Sequence, residues 1–164
     1  MKRSTGSTLL ELAIAALLIS IAAYAAGRLL VYGANAAGRQ ATRSESFENA
    51  RIGLDFLLRH TEASHALKLT VYRRTDVLSR LDLHTETDGG DHVYIFAFDR
   101  SGGRLSFGGS ADYPFTSGVN ELANVKEILV KNDTENGFLV FTVVSADGAF
   151  TLSGAADIRH KKIN

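Results

Sequence analysis

Residues 6–11 read Gly6-Ser7-Thr8-Leu9-Leu10-Glu11, and residues 12–26 continue as LAIAALLISIAAYAA, almost wholly apolar. At ~1.5 Å of rise per residue, residues 9–31 as a helix are long enough to cross a hydrocarbon layer of ~30 Å. Glu11 is out of place in such a run. A carboxylate in hydrocarbon costs roughly 2.5–3.5 kcal/mol at the middle of a span and less towards its edge. Without a partner it would take up a proton, so a charged Glu11 needs a cation beside it. A cut between Gly6 and Ser7 would supply one, because the new α-amino group would stand one helical turn before Glu11. Demanding one amine at one depth fixes the axial offset between packed helices, as a single buried polar side chain fixes coiled-coil register.

Upstream, Met1-Lys2-Arg3-Ser4-Thr5 is short and polar. Lys2 and Arg3 ahead of an apolar span predict a cytoplasmic N-terminus and an exported C-terminal part, the topology of a single-pass inner-membrane protein. Two simpler readings share this pattern. Ala23-Tyr24-Ala25 offers an A-x-A site at which an ordinary signal peptide would be cut from an exported β-rich binding domain, and a plain single-span anchor needs no cut at all. Neither has a use for Glu11.

Downstream, residues 32–64 keep a helical pattern interrupted by glycine. Gly27, Gly33 and Gly38 each cost about 1 kcal/mol relative to alanine in a helix interior, which marks a stretch able to bend or locally melt. Phe47, Ala50, Leu54, Leu57, Leu58 and Thr61 then recur at helical spacing on one face. Glu48–Arg51, Arg51–Asp55 and Asp55–Arg59 pair along another, the ordinary pattern of a solvated surface. Unbroken from residue 7 to residue 64, such a helix would be about 87 Å long.

From Leu67 the period changes to two. Strands are expected at residues 67–71, 77–83, 93–98, 104–107, 125–130, 138–144 and 149–152, with turns at 99–103, 132–137 and 146–148. One long N-terminal helix followed by short strands predicts an α+β fold, with an antiparallel sheet of residues 65–164 packed on the amphipathic half of the helix.

The residues from Gly6 to Glu11, ahead of an apolar helix, resemble the leader of type IV prepilins and type II secretion pseudopilins. The resemblance implies a leader of residues 1–6 removed by prepilin peptidase, methylation of the new N-terminus at Ser7, and Glu11 as the residue that pairs with a neighbouring subunit's amine during assembly. It also implies partners: other pilins or pseudopilins of one filament, the inner-membrane assembly platform, and membrane lipid before assembly. Seven alanines at positions 13, 15, 16, 22, 23, 25 and 26 fit a helix that leaves lipid for a close-packed filament core. Ser7 stands where the family usually has phenylalanine or methionine, which points to a minor subunit. Ala50-Arg51-Ile52-Gly53-Leu54-Asp55-Phe56-Leu57-Leu58-Arg59 is similar to the second half of the long helix in J-type pseudopilins and W-type minor pilins. Ala156-Asp157-Ile158-Arg159-His160 is similar to their final strand, though His160 replaces a common asparagine. A minor subunit of that type is expected at or near the filament tip, initiating assembly of a type IV pilus, a secretion pseudopilus or a DNA-uptake pseudopilus.

Enzymatic and cofactor chemistry finds little support. With no cysteine among 164 residues, disulfides, thiolate catalysis and cysteine-held zinc are excluded. His60, His65, His84, His92 and His160 lack zinc-ligand spacing, and there is no nucleophile elbow, P-loop or dinucleotide fingerprint. Asp88-Gly89-Gly90-Asp91-His92 has the acidic, glycine-rich make-up of a cation loop but reads more simply as a hairpin. Eighteen basic and eighteen acidic side chains leave no net charge, which argues against a nucleic-acid partner despite Arg73-Arg74 and the basic tail Arg159-His160-Lys161-Lys162. Tyr113-Pro114-Phe115 marks a loop with exposed aromatics, suited to a subunit contact.

Overall fold

The computed structural model describes residues 5–87, 90–109, 120–133 and 135–163. Helix α1 (Thr5–Ala63) is followed by strands β1 (Ala66–Val71), β2 (Leu78–Thr87), β3 (Gly90–Asp99), β4 (Arg104–Gly109), β5 (Asn120–Asp133), β6 (Phe138–Ser145), β7 (Thr151–Asp157) and β8 (Lys162–Ile163). The chain divides into two units, Met1–Thr42 and Arg43–Asn164.

The first unit is helix alone. Gly27, Gly33 and Gly38 are helical like their neighbours, so no turn is melted at them in the single chain. From residue 9 to Thr42 every position is exposed. The apolar side chains encircle the axis instead of forming a stripe, which is the pattern of a helix whose surroundings are themselves apolar.

In the second unit, the rest of α1 lays one face on a curled mixed sheet. Ala50 and Leu57 are fully buried, with Leu54, Phe56 and Leu58 partly buried beside them. Close approach is secured by glycine: a Cβ on Gly154 of β7 would stand 2.5 Å from Leu58 Cδ1. Thr61 Oγ1, on the same helical face, is buried without a hydrogen-bond partner.

The sheet runs β7-β6-β5-β4-β3-β2-β1-β8. Successive strands from β1 to β7 pair antiparallel, as expected; the departure is β8, which lies parallel to β1 through Ala66–Lys162 and Leu67–Ile163. Strand alternation supplies the core: Leu81 and Leu83 of β2, Phe96 and Phe98 of β3, and Leu139, Phe141 and Val143 of β6 point inwards. In β5 the buried positions change phase, from Ala123 and Val125 to Ile128 and Val130. The pairing register with β6 shifts between Val125 and Glu127, so one extra residue turns the strand over and bends it. The bend lets the β1–β2 connection reach across: Val130 N–H donates to the Asp76 carbonyl at 2.8 Å, and Val77 bridges Leu129. That link curls the sheet around the Phe96 and Phe141 side chains.

Four of the described turns are clipped by an aspartate. Asp99 Oδ1 accepts from Ser101 N–H at 3.0 Å, Asp133 Oδ1 from Asn136 N–H at 3.2 Å, Asp147 Oδ1 from Ala149 N–H at 3.0 Å and Asp157 Oδ1 from Arg159 N–H at 3.0 Å. Side-chain hydrogen bonds from Ser101, Asn136, Ser145 and Arg159 respectively are the main reason all four carboxyls titrate below their ordinary range. The segment 156–160, expected as a final strand, is split: Ala156 and Asp157 close β7, and the chain then turns.

Candidate functional site

The candidate site lies on the N-terminal unit. Gly6, Ser7 and Glu11 fall within five positions of each other along one helix, and helical geometry does the positioning. Ser7 and Glu11 are spaced i to i+4, so they sit one turn apart on the same side of α1. Gly6 and Ser7 belong to the first turn; Glu11 is exposed within the apolar stretch. Among the described residues Glu11 has no ion-pair partner. Lys2 and Arg3, the orientation signal, lie outside the described residues.

Residues Leu9–Ala63 form one helix long and apolar enough, by length and composition, to cross a membrane; its most apolar window is wholly unburied. Its polar side chains mostly turn back on the helix. Ser20 Oγ donates to the Ala16 carbonyl at 2.7 Å, Arg39 Nε to the Asn35 carbonyl at 3.3 Å and Thr42 Oγ1 to the Gly38 carbonyl at 3.2 Å. Satisfying a hydroxyl or guanidinium on its own backbone lowers the cost of placing it in a poorly hydrated setting.

One arrangement here was not singled out from the sequence. Arg28 donates to Tyr24 Oη at 3.0 Å, and its guanidinium lies 5.8 Å from the ring centres of both Tyr24 and Tyr32. The signal was present: an aromatic–cation–aromatic series at i, i+4 and i+8, just past the apolar run.

Comparison of the chain with protein-family models, with curated proteins and with solved structures finds no match. The architecture itself, one long apolar N-terminal helix and a β-sheet head, is compatible with a pilin-like one.

Elsewhere, the residues considered for other chemistry have structural surroundings. Of the acidic segment 88–91, Asp88 and Gly89 lie outside the described residues. Asp91 Oδ2 accepts from His84 Nδ1 at 3.1 Å, and its Oδ1 is 3.9 Å from His65 Nε2. No group of three or more His, Asp or Glu placed to hold a metal ion occurs among the described residues. His60 is packed among Phe56, Tyr94, Phe96 and Phe107, and its Nδ1–H donates to the Phe56 carbonyl at 2.9 Å. In the basic tail, Arg159 pairs with Asp157 and stacks on Phe138, while Lys161 donates to the carbonyls of Glu62 and Ser64 at the end of α1. Those two cations are committed to the head. Tyr113-Pro114-Phe115 lies outside the described residues.

Proposed function

We propose that this chain is a minor pilin or pseudopilin, a structural subunit rather than an enzyme. In this reading prepilin peptidase removes residues 1–6, Ser7 is methylated, and the mature protein waits as a single-pass inner-membrane protein with its head exported. It then enters a type IV pilus, a type II secretion pseudopilus or a DNA-uptake pseudopilus, at or near the tip. The observation that carries the reading is Glu11, an exposed carboxylate one turn after Ser7 in a stretch of helix that is apolar on every side and exposed throughout. The apolar girdle explains both states. Lipid covers it first, and the helices of neighbouring subunits cover it afterwards, with the alanine-rich surface permitting close packing. On leaving lipid, the Glu11 carboxylate would be tolerated only beside the Ser7 amine of the next subunit, so the charge pair selects the stagger.

Mass determination of the mature N-terminus tests the processing step: the protein is expected to begin at Ser7 and carry one added methyl group. Glu11→Leu is expected to abolish incorporation into filaments while leaving the head folded. A chain that begins elsewhere, or a Glu11→Leu variant that polymerises as the unaltered protein does, overturns the proposal.

A further inference from the structure

We propose that Tyr24, Arg28 and Tyr32 form an anchor for phospholipid phosphate, which fixes where α1 leaves the bilayer at the C-terminal end of its span. The proposal rests on the membrane-crossing part of the function above and not on filament assembly.

Three observations on one helical unit lead to it. The first is position. Between Glu11 and Arg39 the sole charged side chain is Arg28. The Cα positions of Glu11 and Arg28 are about 26 Å apart along the axis, close to the ~30 Å of a hydrocarbon core. The two charges therefore mark the two boundaries of the span.

The second is the company Arg28 keeps. Tyrosine collects at membrane interfaces because its ring suits the acyl boundary and its hydroxyl suits the head groups. Two of them flank Arg28 one turn below and one turn above, each with its ring 5.8 Å from the guanidinium. Side chains on a helix lean towards its N-terminus, which would carry Arg28 back into the apolar layer. Tyr24 Oη meets it there at 3.0 Å and holds the guanidinium at a set depth.

The third is unused capacity. A guanidinium has five N–H donors, and among the described residues Tyr24 Oη alone accepts from Arg28. Tyr24, Arg28 and Tyr32 are all exposed. The donors left over are those of a planar fork, the group that binds phosphate oxygens in pairs. The occupant is the head-group phosphate of the leaflet on the exported side.

A consequence follows for span length. Residues 12–27 are the uncharged stretch; replacing Arg28 by leucine extends it to residue 38. The helix should then sink until more of it is covered.

The chain has no cysteine, so single cysteines introduced from position 12 to position 36 report depth directly in the full-length protein. In vesicles of phosphatidylcholine and phosphatidylglycerol, protection from a membrane-impermeant maleimide is expected to end within about one turn of Arg28. With Arg28→Leu added, protection should extend by about one to two turns, and Val31→Cys should label about tenfold more slowly. Arg28→Lys, which keeps the charge and loses the fork, should fall between. In vesicles of digalactosyl diacylglycerol, which lacks phosphate, the boundary of the unaltered helix should also move, but by less than with Arg28→Leu, because the guanidinium still avoids hydrocarbon. A boundary that stays put on Arg28→Leu, or is the same in the two lipids, overturns the anchor while leaving the span intact. Labelling of cysteines throughout positions 12–27 would instead remove the membrane span, and the anchor with it.

Discussion

Between Leu9 and Tyr32 the large apolar side chains of α1 are 51–75% exposed, whereas Leu57 on the same helix is fully buried. The two regions use similar residues under different rules. In the head, apolar side chains recur at helical spacing beside charged ones, and the resulting stripe meets a sheet whose alternation supplies the opposite face. In the N-terminal unit, apolar side chains occur on every side, so no single partner within the chain could cover them. Patterning makes a core; composition without patterning makes a helix that depends on what surrounds it. The same substitution should therefore have different consequences in the two regions.

The largest expected contrast is leucine truncation. Leu57→Ala opens a cavity in the core of the head and is expected to lower its stability by about 2–5 kcal/mol, whereas Leu17→Ala should leave it unchanged. Denaturant unfolding of the full chain in detergent, followed by a head-specific probe, measures both. Equal effects would mean that the two regions do not behave as separate packing environments.

Glycine replacement sharpens the contrast at smaller scale. Gly103 has φ +65°, and a Cβ there would stand 2.9 Å from the Val125 carbonyl oxygen; Gly33 has open space around it. Gly103→Ala is expected to cost about 1–3 kcal/mol, while Gly33→Ala should strengthen its helix by about 1 kcal/mol. The head-specific unfolding curves would register the loss at Gly103, and helical circular dichroism the gain at Gly33.

The smallest effect is one of pH and belongs to the head alone. Asp99, Asp133, Asp147 and Asp157 all titrate below their ordinary range, so folding binds fewer protons than unfolding as pH falls. Their contribution is complete above about pH 4, the unfolded carboxylate value, and is lost progressively below it. The thermal midpoint of the head should drop between pH 5 and pH 2, and Asp157→Asn should flatten that slope. A midpoint that rises on acidification would contradict the clipped turns.

Much of this contrast was legible in the residues. The helix, its buried face through Ala50, Leu54 and Leu57, and the strands at 93–98 and 138–144 follow from period alone. What escaped was set by tertiary context. The phase change in β5 depends on one bulged residue, which no local pattern announces. β7 begins at Thr151, two positions after the expected Ala149, because the Asp147 turn occupies residues 146–149. β8 is two residues long and is held by β1 through pairing that local propensity does not encode. In the candidate site, the spacing of Gly6, Ser7 and Glu11 is readable because one helix carries all three. Tyr24–Arg28–Tyr32 was equally readable, but an apolar run draws attention to its interior instead of its end.

The clasp of Lys161 on the end of α1, with β8 beside β1, joins positions 97 and 99 residues apart. Closing so long a loop is entropically the least favourable step available to the head, so it belongs late in folding. The clasp then acts as a latch, fixing the end of α1 only once the strands beside it are in place.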